Sequence, residues 1–148
     1  MDATPRGDRD HEPSALIAGA IEAEKKAAWF YRTLAGMTSD GVARRTLEDL
    51  ADDETSHAAV LTDLYLEITG RWEIESVPSA PEGQPNFFDF PSTSRRAALE
   101  FALRNEIKAA DLYQSQAGAS EDPRRQSIFR RLASTELEHA AYLRTQLA

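Results

Sequence analysis

An all-α bundle of four helices, made of two pseudo-symmetric helical hairpins, is the fold class that the sequence predicts. Three observations predict it. Apolar residues recur at helical spacing, and no segment sustains the period-2 alternation of a half-buried strand. Two Glu-x-x-His pairs, Glu54 with His57 and Glu136 with His139, lie 82 residues apart, and a lone glutamate, Glu24 or Glu106, stands 30 residues before each. The surroundings repeat as well: the stretch Leu50–Leu61 matches Leu132–Leu143 at seven positions, and Glu24–Tyr31 aligns with Glu106–Tyr113 at the same offset. A long internal repeat of this kind marks a duplicated supersecondary unit.

Residues 1–13 are polar and charged and are expected to form a disordered leader, in which His11 reads as a surface residue. Ser14 follows Pro13 and can cap a first helix running to about Ala35, with Gly36 as its stop. Ser39 or Asp40 then opens a second helix, which carries Leu47, Leu50, Glu54, His57, Leu61 and Leu64 at helical spacing and ends near Gly70. The segment 70–93 holds Pro78, Pro81, Pro85 and Pro91, so no helix passes through it. A third helix is expected from about Ser94 to Ala117, stopped by Gly118. Asp122-Pro123 then supplies a cap followed by a first-turn proline for the fourth, which continues to Ala148. The organisation expected is one domain over 14–148: hairpin 14–69, crossover 70–93, hairpin 94–148.

Geometry gives the long linker a purpose. Glu24 and Glu54 are nearly equidistant from the turn between their helices, about 22 Å along each axis at about 1.5 Å rise per residue. Glu106 and Glu136 stand in the same relation to theirs. If the two hairpins pack with their turns at opposite ends, the linker must travel the length of the bundle, which a plain up-down-up-down arrangement would not require. Phe87, Phe88 and Phe90 are expected to pin this crossover against the helices.

Composition narrows the function. A chain of 148 residues can bury a substantial core. A net charge of −8 argues against nucleic acid and anionic membranes as partners. With no cysteine, the sequence has no disulfide, thiolate zinc site, iron–sulfur cluster or four-cysteine iron site. It lacks a signal-peptide core and a long apolar span, so a cytoplasmic location is expected, which leaves open enclosure within another protein's shell.

The six repeated residues carry the chemistry. Within each Glu-x-x-His the two side chains are neighbours on one helix face. Together the sets offer four carboxylates and two imidazoles, and their formal charge of −4 balances two divalent cations. Oxygen and imidazole donors without sulfur suit iron or manganese, with zinc a further candidate. The opposing reading, glutamates turned to solvent, conflicts with the apolar residues flanking them: Leu47, Leu50 and Leu61 around Glu54, and Phe129, Leu132 and Leu143 around Glu136. Four buried ionised carboxylates without cations would be strongly unfavourable. Tyr31 and Tyr113 lie two helical turns beyond Glu24 and Glu106 on the same faces, either as core aromatics or as neighbours of the cluster.

These motifs resemble the rubrerythrin-like branch of the ferritin-like di-iron carboxylate proteins, over nearly all of residues 14–148. The resemblance implies a ferritin-like four-helix bundle with two irons. It also implies bridging roles for Glu54 and Glu136 and terminal roles for Glu24 and Glu106. His57 and His139 complete the set, with Tyr31 and Tyr113 beside it. Two features depart from that family. Full-length rubrerythrins carry a four-cysteine rubredoxin domain, and this sequence has no cysteine. They also place an extra glutamate three residues after the third-helix ligand, where this chain has Ala109, with Ala27 as its repeat mate.

The function expected is therefore a non-haem di-iron, or di-manganese, oxidoreductase that reacts with O₂ or H₂O₂. As a peroxidase it would take electrons from a separate donor protein; as a ferroxidase it would take them from Fe(II). The rival expectation is a metal-binding, storage or helical interaction module without turnover. The resemblance further implies a homodimer or higher homo-oligomer.

Overall fold

A computed structural model of the chain describes residues 7–71, 73–74 and 94–148. Among these there are four helices and no strand: α1 (Gly7–Gly36), α2 (Gly41–Thr69), α3 (Arg95–Ala119) and α4 (Pro123–Leu147). The chain divides into two compact units, Met1–Gln84 and Pro85–Ala148, with α1 packed on α2 in the first and α3 on α4 in the second.

In the first unit the turn is closed by local polar groups. Thr38 Oγ1 donates to the carbonyl of Leu34 at 2.7 Å beyond the end of α1. Asp40 caps α2: its Oδ1 accepts from the backbone N–H of Val42 at 2.9 Å and of Ala43 at 3.1 Å, filling two of the donors that a helix start leaves open. The far end of α2 closes on Gly70, whose φ of +68° is left-handed and whose N–H reaches the Leu66 carbonyl at 2.7 Å. The core face of α2 is a seam at alternating steps of three and four: Leu47, Leu50, Glu54, His57, Leu61 and Leu64, all buried. α1 answers with Ile17, Ile21, Glu24, Ala28 and Tyr31, also buried. At the surface, Arg32 Nη2 donates to Thr55 Oγ1 at 3.1 Å and meets Asp52 at 3.4 Å, a clasp between the two helices.

The second unit repeats the plan. Ser94 Oγ accepts from the Ala97 N–H at 3.1 Å to start α3, and Asp122 Oδ1 accepts from the Arg124 N–H at 2.9 Å to start α4, with Pro123 in its first turn. The helices run antiparallel, since Arg95 at the start of α3 bonds Gln146 at the end of α4 at 3.3 Å. Leu99, Glu106, Ala110 and Tyr113 form the buried seam of α3, and Phe129, Leu132, Glu136, His139 and Leu143 that of α4. The surface clasp is not repeated, because Gln114, Ser134 and Leu137 replace Arg32, Asp52 and Thr55.

Two helix boundaries differ from expectation. α1 begins at Gly7, so residues 7–13 continue the helix instead of forming a leader, and Pro13 lies inside it. Proline removes one i→i−4 bond without forbidding a helix near its first turns, so it is a weaker start signal than it looks. α3 runs through Gly118 to Ala119, and Ser120 closes it by donating its N–H to the Gln116 carbonyl at 3.0 Å. A glycine costs a helix only about 1 kcal/mol, too little to stop one beside two alanines. Apart from Gly70, Arg71, Glu73 and Ile74, the crossover expected over 70–93, with its three phenylalanines, lies outside the described residues.

Candidate metal centre

The six residues singled out by the repeat take seam positions on their helices. Glu24 on α1 continues the line of Ile17 and Ile21, and Glu54 with His57 interrupts the leucines of α2. Helical pitch carries them inward: steps of three and four keep one face toward the partner helix, and the ligand types occupy steps where the pattern would otherwise place leucine. All six are buried, with 1% exposure at Glu54 and 2% at Glu136, so these carboxylates are withdrawn from water.

Each hairpin gathers its own three. Glu24, Glu54 and His57 present donor atoms within 4.8 Å of one another, and Glu106, Glu136 and His139 do the same in the second unit. In the first, His57 turns Nδ1 toward the carboxylates, 3.6 Å from Glu24 Oε2 and 3.8 Å from Glu54 Oε2. In the second, His139 Nδ1 stands 3.5 Å from Glu106 Oε1. These separations exceed a hydrogen bond and approach those of two donors on one ion. Donors bound at about 2.0–2.2 Å lie about 3.0–3.5 Å from each other, so contraction by a few tenths of an ångström would suffice. Two carboxylates and an imidazole per hairpin, buried and without sulfur, therefore fit a divalent first-row ion and could hold one. Among the described residues no other Asp, Glu or His joins such a group.

Other residues resolve more simply. Tyr31 and Tyr113 are both 2% exposed. Phe30 meets Tyr31 edge-on at 5.7 Å between ring centroids, and Tyr113 stacks on Phe129 at 6.3 Å, so each has an aromatic packing role. Asp53, Glu22 and Glu138 are exposed, as are Arg124, Arg130 and Arg131, while Arg125 is half-buried and 3.7 Å from Asp122. Ala27 and Ala109 are half-buried and bring no carboxylate to their helices. The clasp of Arg32 on Asp52 and Thr55 escaped the sequence reading. Its members are 20 and 23 residues apart on different helices, and nothing local marks them. No described helix is long and apolar enough to cross a membrane.

Comparison with known proteins agrees with this geometry. No curated protein matches the chain. A solved structure from Pyrococcus furiosus, described as a hypothetical protein, is similar at a TM-score of 0.80 and 26% identity, covering 94% of this chain and 90% of that one. The likeness identifies the fold as a ferritin-like four-helix bundle. The family described as "Ferritin-like domain" matches residues 15–148. A match over nearly the whole chain, on helices that bury two Glu–Glu–His sets, places this protein in the ferritin-like family.

Proposed function

We propose that the two Glu–Glu–His sets together hold two divalent metal ions, iron in the first place, and that the protein is a non-haem di-iron oxidoreductase acting on O₂ or H₂O₂. One observation carries the reading: each hairpin commits two buried carboxylates and an imidazole to seam positions within 4.8 Å of one another. Such groups weaken a core unless cations compensate them. When bound, an iron pair supplies electrons to a small oxidant in steps that protein side chains cannot perform. The chain's residues do the rest. Glu24, Glu54 and His57 would hold the metal in the first hairpin, and Glu106, Glu136 and His139 in the second, with Glu24 and Glu106 as the terminal carboxylates and His57 and His139 completing each set. The surrounding leucines keep bulk water from the donors. Tyr31 and Tyr113 lie two helical turns from Glu24 and Glu106 on the same helices, and Ala27 and Ala109 leave each set at two carboxylates.

The electron source separates two versions of this activity. A ferroxidase draws electrons from Fe(II) itself, whereas a peroxidase requires a donor protein, since the chain has no cysteine-bound redox centre of its own. Metal content and anomalous scattering of protein from iron-supplemented cells test the core of the proposal. Two metals per chain and reaction with O₂ or H₂O₂ are expected, with loss of at least one metal in Glu24→Ala. Zinc alone with no reaction at any iron loading would leave only a storage or structural role. Unchanged stoichiometry in Glu24→Ala would refute the ligand assignment.

A further inference from the structure

The two Glu–Glu–His sets correspond residue for residue, but the contacts just outside them do not. In the first hairpin Arg32 Nη2 reaches from α1 to α2, 3.1 Å from Thr55 Oγ1 and 3.4 Å from Asp52 Oδ1. Thr55 Oγ1 also donates to the Ala51 carbonyl at 3.1 Å, which anchors the contact on the turn of α2 that carries Glu54. Arg32 stands about 12 Å beyond Glu24 along α1. Helical side chains lean toward the N-terminus, so its guanidinium is carried back toward the level of the ligands. In the second hairpin Gln114, Ser134 and Leu137 fill the equivalent, exposed positions. There Arg95 and Arg96 tie α3 to the end of α4, 3.3 Å from Gln146 and 3.5 Å from the Leu147 carbonyl, at the far end of α3 from the turn.

We propose, resting on the metal reading above, that Arg32 is a positioning residue for the first set. By tying α1 to α2 beside Glu54 it holds Glu24, Glu54 and His57 together before an ion arrives, so the first hairpin takes up metal ahead of the second. Two buried carboxylates repel each other and resist being gathered without a cation. In a hairpin with no tie beside its ligands the ion must do that gathering, and the ordering cost is subtracted from its affinity. Where the tie exists, the helices are already in place. Arg32 and Asp52 are both exposed, so the advantage is small, about threefold in affinity.

Proton NMR of the metal-free chain during cobalt(II) addition tests the proposal, because a bound cobalt shifts the imidazole signals of its own histidine. Loss of signals in His57→Gln and in His139→Gln assigns them. At one cobalt per chain the shifted His57 signals should exceed those of His139 by about threefold. Arg32→Gln, which copies the second hairpin, should bring the ratio near one. Gln114→Arg with Ser134→Asp and Leu137→Thr installs the clasp on α3 and α4 and should do the same by strengthening the second set. Arg32→Lys keeps the charge without the two-pronged reach and should fall between. Without metal, Arg32→Gln should speed amide exchange around Glu54 and leave α3 and α4 unchanged. Circular dichroism checks that each variant folds. A wild type that takes up no cobalt would overturn the metal reading and this role of Arg32 with it. Two ions bound with equal filling, or a ratio that Arg32→Gln does not move, would overturn the role of Arg32 alone and leave the clasp as a surface tie.

Discussion

Replacing Glu54 with leucine should make the metal-free protein more stable while abolishing part of its metal binding. Glu54 is 1% exposed and sits in the α2 seam between Leu50 and His57, so the substitution extends the apolar row of Leu47 and Leu50 by one step. Two opposing effects decide the sign. Removing one member of a buried charged group is usually destabilising, because its partner is left uncompensated. In this hairpin two carboxylates share one imidazole, and His57 keeps Glu24 at 3.6 Å after Glu54 is gone. The gain therefore wins: one fewer carboxylate is held from water, and a leucine side chain is buried in its place. A net stabilisation of about 2 kcal/mol is expected, which for a chain of this length raises Tm by about 4–8 °C. Thermal unfolding followed by circular dichroism, after exhaustive chelation, measures it, and Leu50→Ala in parallel should cost about 2–5 kcal/mol. Cobalt(II) should raise the Tm of wild type and do so less in the variant. A metal-free Glu54→Leu protein less stable than wild type by more than about 1 kcal/mol would refute the reasoning, since Glu54 would then hold the fold together rather than strain it.

Three further outcomes test other parts of the structure. Tyr31→Phe and Tyr113→Phe keep the aromatic packing, so metal stoichiometry should be unchanged and Tm should shift by no more than a few degrees; slowed iron oxidation in stopped flow would assign the hydroxyl a part in the reaction, and equal rates would confine it to the core. Asp40→Ala removes the acceptor of two helix-start N–H groups and should cost about 1 kcal/mol in denaturant unfolding; no shift in midpoint would mean solvent serves α2 equally well. Gly70→Ala forces a side chain into a left-handed residue at φ +68° and should cost about 1 kcal/mol, although the space around it is open.

Much of this molecule could be read from the order of its residues, and the reasons are local. Asp40, Ser94, Asp122-Pro123 and Gly70 sit where the helices start or stop, because capping acts within a turn of the chain. The six ligand-type residues were legible because polar residues at seam positions contradict the pattern around them, and the contradiction occurs twice at one offset. What escaped was set by weaker or longer-range terms. Pro13 and Gly118 each oppose a helix by no more than a few kcal/mol, and neighbouring turns outweigh that near an end. The Arg32 clasp joins residues brought together only once α1 lies on α2. The turn of each imidazole, Nδ1 toward the carboxylates, depends on side-chain rotation that spacing does not encode.

The missing second clasp has a consequence for how such a chain can change. Arg32, Asp52 and Thr55 have no equivalents at Gln114, Ser134 and Leu137, yet the six inward residues correspond one for one. Inside each hairpin the buried Glu–Glu–His residues lie close across two helices, so no member can drift without loss of its set. The outer surfaces carry no such mutual obligation. One hairpin could keep a polar tie while the other gave up its tie and acquired an exposed leucine. The interior of this protein is thus a record of what the two halves hold in common, and its exterior is where they were free to become different molecules.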